Sequence, residues 1–317
     1  ANPAASDLMK TSRRNFLATS FAAALAPVSE GLSVSEPYPR VRSRLIPGLA
    51  AYSFRSHFAW MKGKENRNLK DGMRKLDMPG FIRYCAEIGA EGAELTSYFF
   101  PPEADDAHFA HCREVAHVNG VAVSGTAVGN NFSFPRSATE RAEQMDYVKS
   151  WIDRSVVMGA PHVRVFAGKH PEGISPDEAE ENAIEALKEA GEYAGDRGIF
   201  LGIENHDSIT TADRLLRIIT AVDNPFVGVN LDSGNFIADD VYAEMEATAP
   251  YAVNVQIKTE IKVPDSKEKK SADLPRVFSI LRNSGYAGHV VLEFEEKTDP
   301  FEHVPPLIEK FQEWAKG

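Results

Sequence analysis

Four short apolar runs in the second half of this 317-residue sequence each end in an oxygen-bearing side chain. They are Leu201-Gly202-Ile203-Glu204, Gly228-Val229-Asn230-Leu231-Asp232, Val253-Asn254-Val255-Gln256 and Val290-Val291-Leu292-Glu293. If the runs are parallel strands, their C-terminal ends converge on one rim. Glu204, Asp232 and Glu293 then lie close together, and three neighbouring carboxylates repel unless they are protonated or share a cation. A divalent metal ion is the economical solution. Taken singly, each carboxylate reads as a helix N-cap or a solvated loop residue. Asp232 before Ser233-Gly234-Asn235 suits a simple turn, and residues 293–296 suit a solvated acidic run. The same ending on four successive runs argues for one shared site.

Other polar side chains fall at the same ends. Strand side chains alternate with a period of two, so Lys258, two residues beyond Gln256, points the same way and suits an oxyanion or a carboxylate. The competing reading is a rim lysine in a charged segment that also holds Lys262, Lys267, Lys269 and Lys270. His206, two beyond Glu204, suits a hydroxyl contact or a proton relay, or else caps the strand end. Asn235, Glu94, Arg164 and Tyr52 are further candidates for substrate contact. His108, His111 and His117 share one helical pattern and read as solvated outer-helix residues.

An alternation of strands and helices must position these groups. Strand-like runs are expected at 47–54, 92–96, 121–126, 162–166, 199–204, 227–232, 252–257 and 289–294. Several are rich in Val and Ile and bounded by Gly or Pro, as buried parallel strands are. Helical patterns lie between them, clearest at 176–197. There Ala183, Ile184, Leu187, Ala190 and Ala194 form an apolar stripe, and Gly198 marks the stop. This alternation predicts a single-domain α/β protein, a (β/α)8 TIM barrel. A doubly wound sheet is the alternative, but residues 49–54 lead into no Gly-rich phosphate loop. The long connections 57–77 and 260–271 follow strand C-termini, the face where barrel enzymes keep their active sites, and either suits a lid.

With 43 % hydrophobic residues the chain can bury a large core, and its net charge of −11 argues against a nucleic-acid partner. Cys85 and Cys112 fall on separate helical segments without metal-ligand spacing and read as unpaired core thiols, with a disulfide as the alternative. Residues 1–45 read as an export signal and linker, preceding a barrel over 46–317. Ser12-Arg13-Arg14-Asn15-Phe16-Leu17 leads into an apolar run to about Val28, which resembles a twin-arginine signal and is too short for a stable membrane span. Met9-Lys10 reads as the start of translation, and Ala24-Leu25-Ala26 offers a small-x-small cleavage site. Export to the periplasm is therefore expected.

At its strand ends the sequence resembles the xylose isomerase-like TIM barrel superfamily, which includes sugar-phosphate isomerases and epimerases. The resemblance rests on Gly202-Ile203-Glu204-Asn205-His206, Leu231-Asp232-Ser233-Gly234-Asn235, Gln256-Ile257-Lys258 and Gly288-His289-Val290-Val291-Leu292-Glu293, in that order. It extends over about residues 45–315, including Gly89-Ala90-Glu91-Gly92-Ala93-Glu94 leading through the second strand. The resemblance implies one divalent ion held by Glu204, Asp232, Gln256 and Glu293, with Glu204 and Glu293 also exchanging substrate protons. Gln256 stands where many relatives have histidine. An amide oxygen is a harder ligand than imidazole, which tilts the implied ion toward Mn²⁺ or Mg²⁺, with Zn²⁺ or Co²⁺ as alternatives. Asn235 stands where epimerases of the superfamily often carry a substrate-binding histidine.

The implied activity is isomerisation or epimerisation of a small sugar or keto-sugar, by proton removal alpha to a carbonyl through an enediolate. Elimination from the same enediolate, by a dehydratase or lyase acting on a keto-polyol or keto-glycoside, is the alternative. A non-catalytic sugar- or metal-binding barrel is a third reading. The phosphodiesterases of endonuclease-IV type use several zinc ions and many histidines, which these strand ends do not supply. Assembly into a homo-oligomer is compatible with the sequence.

Overall fold

Short apolar runs and amphipathic helices alternate along the chain until the last strand meets the first. The computed structural model describes residues 38–317 except 267. Its parallel strands are β1 (Arg44–Ala50), β2 (Gly92–Thr96), β3 (Ala122–Ala127), β4 (His162–Val165), β5 (Phe200–Glu204), β6 (Val227–Asp232), β7 (Ala252–Ile257) and β8 (Ala287–Leu292). Each pairs with its neighbours in sequence, and β1 pairs with β8 from Arg44↔Ala287 to Leu49↔Leu292, closing the barrel. Outside it lie α1 (Met78–Glu87), α2 (Asp106–Val118), α3 (Thr139–Met158), α4 (Pro176–Gly195), α5 (Ala212–Val222), α6 (Val241–Thr248), α7 (Leu274–Asn283) and α8 (Pro300–Lys316). This is the expected single-domain (β/α)8 barrel. The export motif lies outside the described residues.

Helix α4 shows how local sequence sets the elements. Ser175 accepts from the backbone N–H of Glu178 at 3.2 Å and Pro176 opens the first turn, a start that satisfies an orphan donor and needs no N–H from the proline. Ala183, Ala186, Leu187, Ala190 and Ala194 are buried against the barrel, whereas Ile184 is only half-buried. Gly198, at φ +69°, takes the left-handed conformation that ends the segment.

Two of the boundaries that differ from the sequence reading affect the rim. β1 stops at Ala50, and Ala51–Phe54 is a 3-10 turn rather than more strand. Ser53 Oγ accepts from Phe294 N at 2.9 Å and donates to the Leu292 carbonyl at 3.2 Å, drawing that turn onto the end of β8. β8 itself ends at Leu292, so Glu293 is the first residue beyond it. Both long connections are folded. Trp60–Met61 pairs with Lys64–Glu65, and Glu260–Lys262 pairs with Lys269–Ser271, each as a two-stranded antiparallel hairpin.

Inside the barrel, His162 of β4 fills space left by two glycines. A Cβ at Gly125 would lie 2.7 Å from its Nδ1, and one at Gly202 would collide with its Nε2. Burial, reinforced by the positive charge of Arg164, lowers the His162 pKa to about 3. Cys85 and Cys112 are free and buried. Burial raises both thiols, Cys112 to about 12 and Cys85 further still. Among the described residues, no helix is long and apolar enough to cross a membrane.

Candidate active site

A buried amide and carboxylate network crosses the barrel beneath the rim. Asn230 Nδ2 donates to Gln256 Oε1 at 2.7 Å, and Gln256 Nε2 donates to Glu94 Oε1 at 2.7 Å. Asn254 Nδ2 donates to Glu94 Oε2 at 3.0 Å and to Asn230 Oδ1 at 2.8 Å. Burial raises the Glu94 carboxyl to about 7, against the opposing pull of Arg164 and the two amides. Both ends of the Gln256 amide, the ligand that the family resemblance implies, are thus engaged by hydrogen bonds inside the barrel.

The end of β6 is fixed by backbone contacts. Asn205 accepts from Asp232 N and donates to Asp232 O, each at 2.8 Å. Asp232 Oδ1 accepts from Gly234 N at 2.8 Å, and its Oδ2 lies 3.0 Å from Lys258 Nζ. The same ammonium is 3.3 Å from Glu293 Oε2, 3.4 Å from Glu295 Oε2 and 3.5 Å from Asn235 Oδ1. Burial alone would lower the Lys258 pKa, but Asp232, Glu293 and Glu295 outweigh it and hold the pKa well above the ordinary lysine value. Burial likewise raises Glu293, with Lys258 opposing.

Glu204 has its own cation. Its Oε2 lies 2.9 Å from Arg164 Nε, and its Oε1 accepts from Asn235 Nδ2 at 2.9 Å. Burial raises the Glu204 pKa and Arg164 pulls it back. Arg164 is itself anchored, donating to the Val128 carbonyl at 2.8 Å and lying over the Phe166 ring, 4.0 Å from its centroid.

A cavity of about 340 Å³ opens over this floor, walled in part by Glu204, Glu293, Lys258, Arg164, Tyr52 and His206. The structure therefore gathers six of the expected residues around one pocket. Asp232 and Asn235 contact Lys258 and Glu204 of this wall, whereas Glu94 and Gln256 bond to each other and to Asn230 and Asn254 within the barrel. His206 sits at the edge, its Nδ1 3.2 Å from Asp207 Oδ2 and its ring 4.5 Å from that of Phe166. The alternation that singles out Lys258 also singles out Glu295, two residues beyond Glu293, although the sequence reading leaves it in an acidic run. Tyr98 and Lys62 also line the pocket. They come from a 3-10 turn and a hairpin, segments with no periodic signal. His111, on α2, pairs with Glu114 at 3.0 Å on an exposed face.

As arranged, these residues do not fit a divalent ion. Such a site brings oxygen or nitrogen donors to about 2.0–2.6 Å from one centre. Here the Glu204 oxygens face Asn235 and Arg164, the Gln256 amide is engaged at both ends, and an ammonium stands between Asp232 and Glu293. Among the described residues, no three His, Cys, Asp or Glu side chains converge as a metal-holding group.

Residues 82–316 match the family described as xylose isomerase-like TIM barrel, and the chain belongs to that family. No curated protein matches the sequence. The chain is similar in fold to L-ribulose 3-epimerase, with a TM-score of 0.64 and 16 % identity, over 86 % of this chain and 96 % of that one. It is similar to 3-keto-D-glucoside 4-epimerase from E. coli, with a TM-score of 0.62 and 16 % identity, over 86 % and 100 % of the two chains. A xylose isomerase-like TIM barrel protein from Mycobacterium smegmatis, solved in complex with magnesium, aligns with a TM-score of 0.62 and 17 % identity, over 86 % and 95 %.

Proposed function

We propose that this barrel is an isomerase or epimerase of a small sugar or keto-sugar, working by removal of a proton alpha to a carbonyl. The observation that carries the reading is the placement of Glu204 and Glu293, at the ends of strands three apart around the barrel and on the wall of one cavity. Epimerisation needs a base to take a proton from one face of a carbon and an acid to return one to the other. One carboxylate takes the proton, the C–H electron pair becomes the carbon–carbon double bond of an enediolate, and the carbonyl oxygen takes the negative charge. The other carboxyl group returns a proton. Tyr52 and His206 offer a hydroxyl and an imidazole to the sugar hydroxyls. The likeness in fold to solved sugar epimerases supports the substrate class.

The family resemblance adds a finer expectation, Mn²⁺ or Mg²⁺ held by Glu204, Asp232, Gln256 and Glu293. A bound ion would polarise the substrate's oxygens. The residues as arranged do not fit it, and the steps above do not depend on it.

Incubation with a panel of aldoses, ketoses and keto-sugars in D₂O tests the reading. Solvent deuterium should enter beside the carbonyl without loss of mass from the substrate. Absence of exchange across the panel removes the proposal. One observation favours elimination from a keto-glycoside as a second reading. A further cavity of about 430 Å³, with Phe100, Tyr147 and Trp151 in its walls, shares Lys62, Tyr98 and Gly129 with the first. It would accommodate an aglycone, whose release from a keto-glycoside added to the panel marks a lyase.

The amino-terminal motif supports a separate proposal, export to the periplasm by the twin-arginine route. A fusion of residues 9–45 to a reporter that stays wholly cytoplasmic overturns it.

A further inference from the structure

We infer that Lys258 is the resident cation of this active site, a covalently held ammonium standing where a metal-dependent member of the fold would place a divalent ion. The inference rests on the proposed proton-transfer chemistry for its catalytic meaning, and on geometry alone for its structural content.

The geometry has three parts. Lys258 Nζ lies within 3.4 Å of carboxylate oxygens from three residues, Asp232 on β6 and Glu293 and Glu295 beyond β8. These include two of the carboxylates that the sequence assigns to a metal. The third, Glu204, is matched by Arg164 at 2.9 Å, and Asn235 links the two ion-paired groups by donating to Glu204 and facing the Lys258 ammonium. The fourth assigned ligand, Gln256, gives its oxygen to Asn230 and its nitrogen to Glu94. A divalent ion would have to displace the ammonium or sit beside it against like-charge repulsion, and to reach the Gln256 oxygen it would have to compete with the buried hydrogen bond from Asn230.

The position of Lys258 suits the chemistry. Its side chain is largely buried, yet Lys258 also walls the cavity beside Glu204 and Glu293. When a carboxylate removes the alpha proton, the negative charge moves to the former carbonyl oxygen. The ammonium can donate a hydrogen bond to that oxygen without transferring its proton, stabilising the enediolate until carbon is reprotonated. Its backbone N–H donates to Ser233 Oγ at 2.9 Å, and its Nζ is held by the carboxylates, so the charge is fixed before substrate arrives.

Manganese titration of the full chain, followed by electron paramagnetic resonance after removal of adventitious metal with a chelator, tests this. The wild type should bind no stoichiometric Mn²⁺ at millimolar concentration. K258A, which opens the space and leaves its carboxylates unmatched, should bind one Mn²⁺ at least 100-fold more tightly than wild type, and K258R should exclude the ion as wild type does. One Mn²⁺ bound by the wild type with micromolar affinity overturns the inference, and that measurement decides even if K258A fails to fold. Deuterium exchange on the sugar panel is read separately. Exchange by a wild type that binds Mn²⁺ keeps the proposed function and discards the resident ammonium. Exclusion of Mn²⁺ without exchange on any sugar keeps the ammonium and discards the function.

Discussion

Arg164 Nε and Glu204 Oε2 face each other at 2.9 Å on adjacent strands, with side chains only 5 % and 4 % exposed. A buried ion pair of this kind contributes less through its own attraction than through the penalty for breaking it. R164M leaves Glu204 a buried carboxylate without its cation and should lower stability by about 3–5 kcal/mol. Urea unfolding checks this. R164K should recover part of the loss, because a lysine restores charge but not the planar fork that also reaches the Val128 carbonyl.

The two rim glutamates should be separable from the scaffold. E293Q keeps the shape of the side chain and removes its capacity to exchange protons. Turnover should fall about 10²- to 10⁴-fold, the range for loss of a positioned acid or base. The circular dichroism spectrum should be unchanged. Equal activity in E293Q and wild type would remove Glu293 from the chemistry.

Gly202 is required by its neighbours. A methyl group there would collide with His162 Nε2 and stand 2.9 Å from Asn230 Cβ. G202A should therefore cost about 1–3 kcal/mol through overpacking, read as a fall in melting temperature. A melting temperature equal to that of wild type would show that the imidazole can move aside.

His162 should also give the barrel an acid-sensitive component. Its folded pKa is depressed to about 3, from an ordinary value of 6.5. The unfolded chain therefore takes up a proton below pH 6.5 that the folded chain refuses. The contribution is fully present above pH 6.5 and is lost as the pH falls from there toward 3, at up to roughly 1.4 kcal/mol per pH unit. Urea midpoints between pH 7 and pH 4 should decline less steeply in H162N than in wild type. Parallel declines would assign the acid sensitivity elsewhere.

Much of this architecture was legible because periodic segments advertise themselves. The runs ending in Glu204, Asp232 and Gln256 are the observed β5, β6 and β7 to within a residue at either end. Periodicity also identifies which side chains share a face, and so it singles out Lys258. It carries no information about which partner a side chain chooses. The position of Gln256 along its run points to the rim, yet Asn230 and Glu94 hold it inside the barrel. Those partners are Asn and Glu residues on other strands, and Glu94 is 162 positions away in the chain. The turn at Ala51–Phe54 reads as strand by composition. It bends because Ser53 bonds to the end of β8, a contact across 239 residues that no local pattern encodes.

The two buried thiols determine how this protein can be made. Cys85 and Cys112 carry no cross-link, and burial keeps both protonated and therefore unreactive. Reaching the native barrel thus requires neither an oxidant nor a disulfide isomerase. Refolding from urea should give the same yield with dithiothreitol as in air, and a thiol reagent should label the protein only after it unfolds. Synthesis of the native barrel is in this sense indifferent to the redox poise of its surroundings, so the chain can be completed in a reducing compartment or an oxidising one without altering its structure.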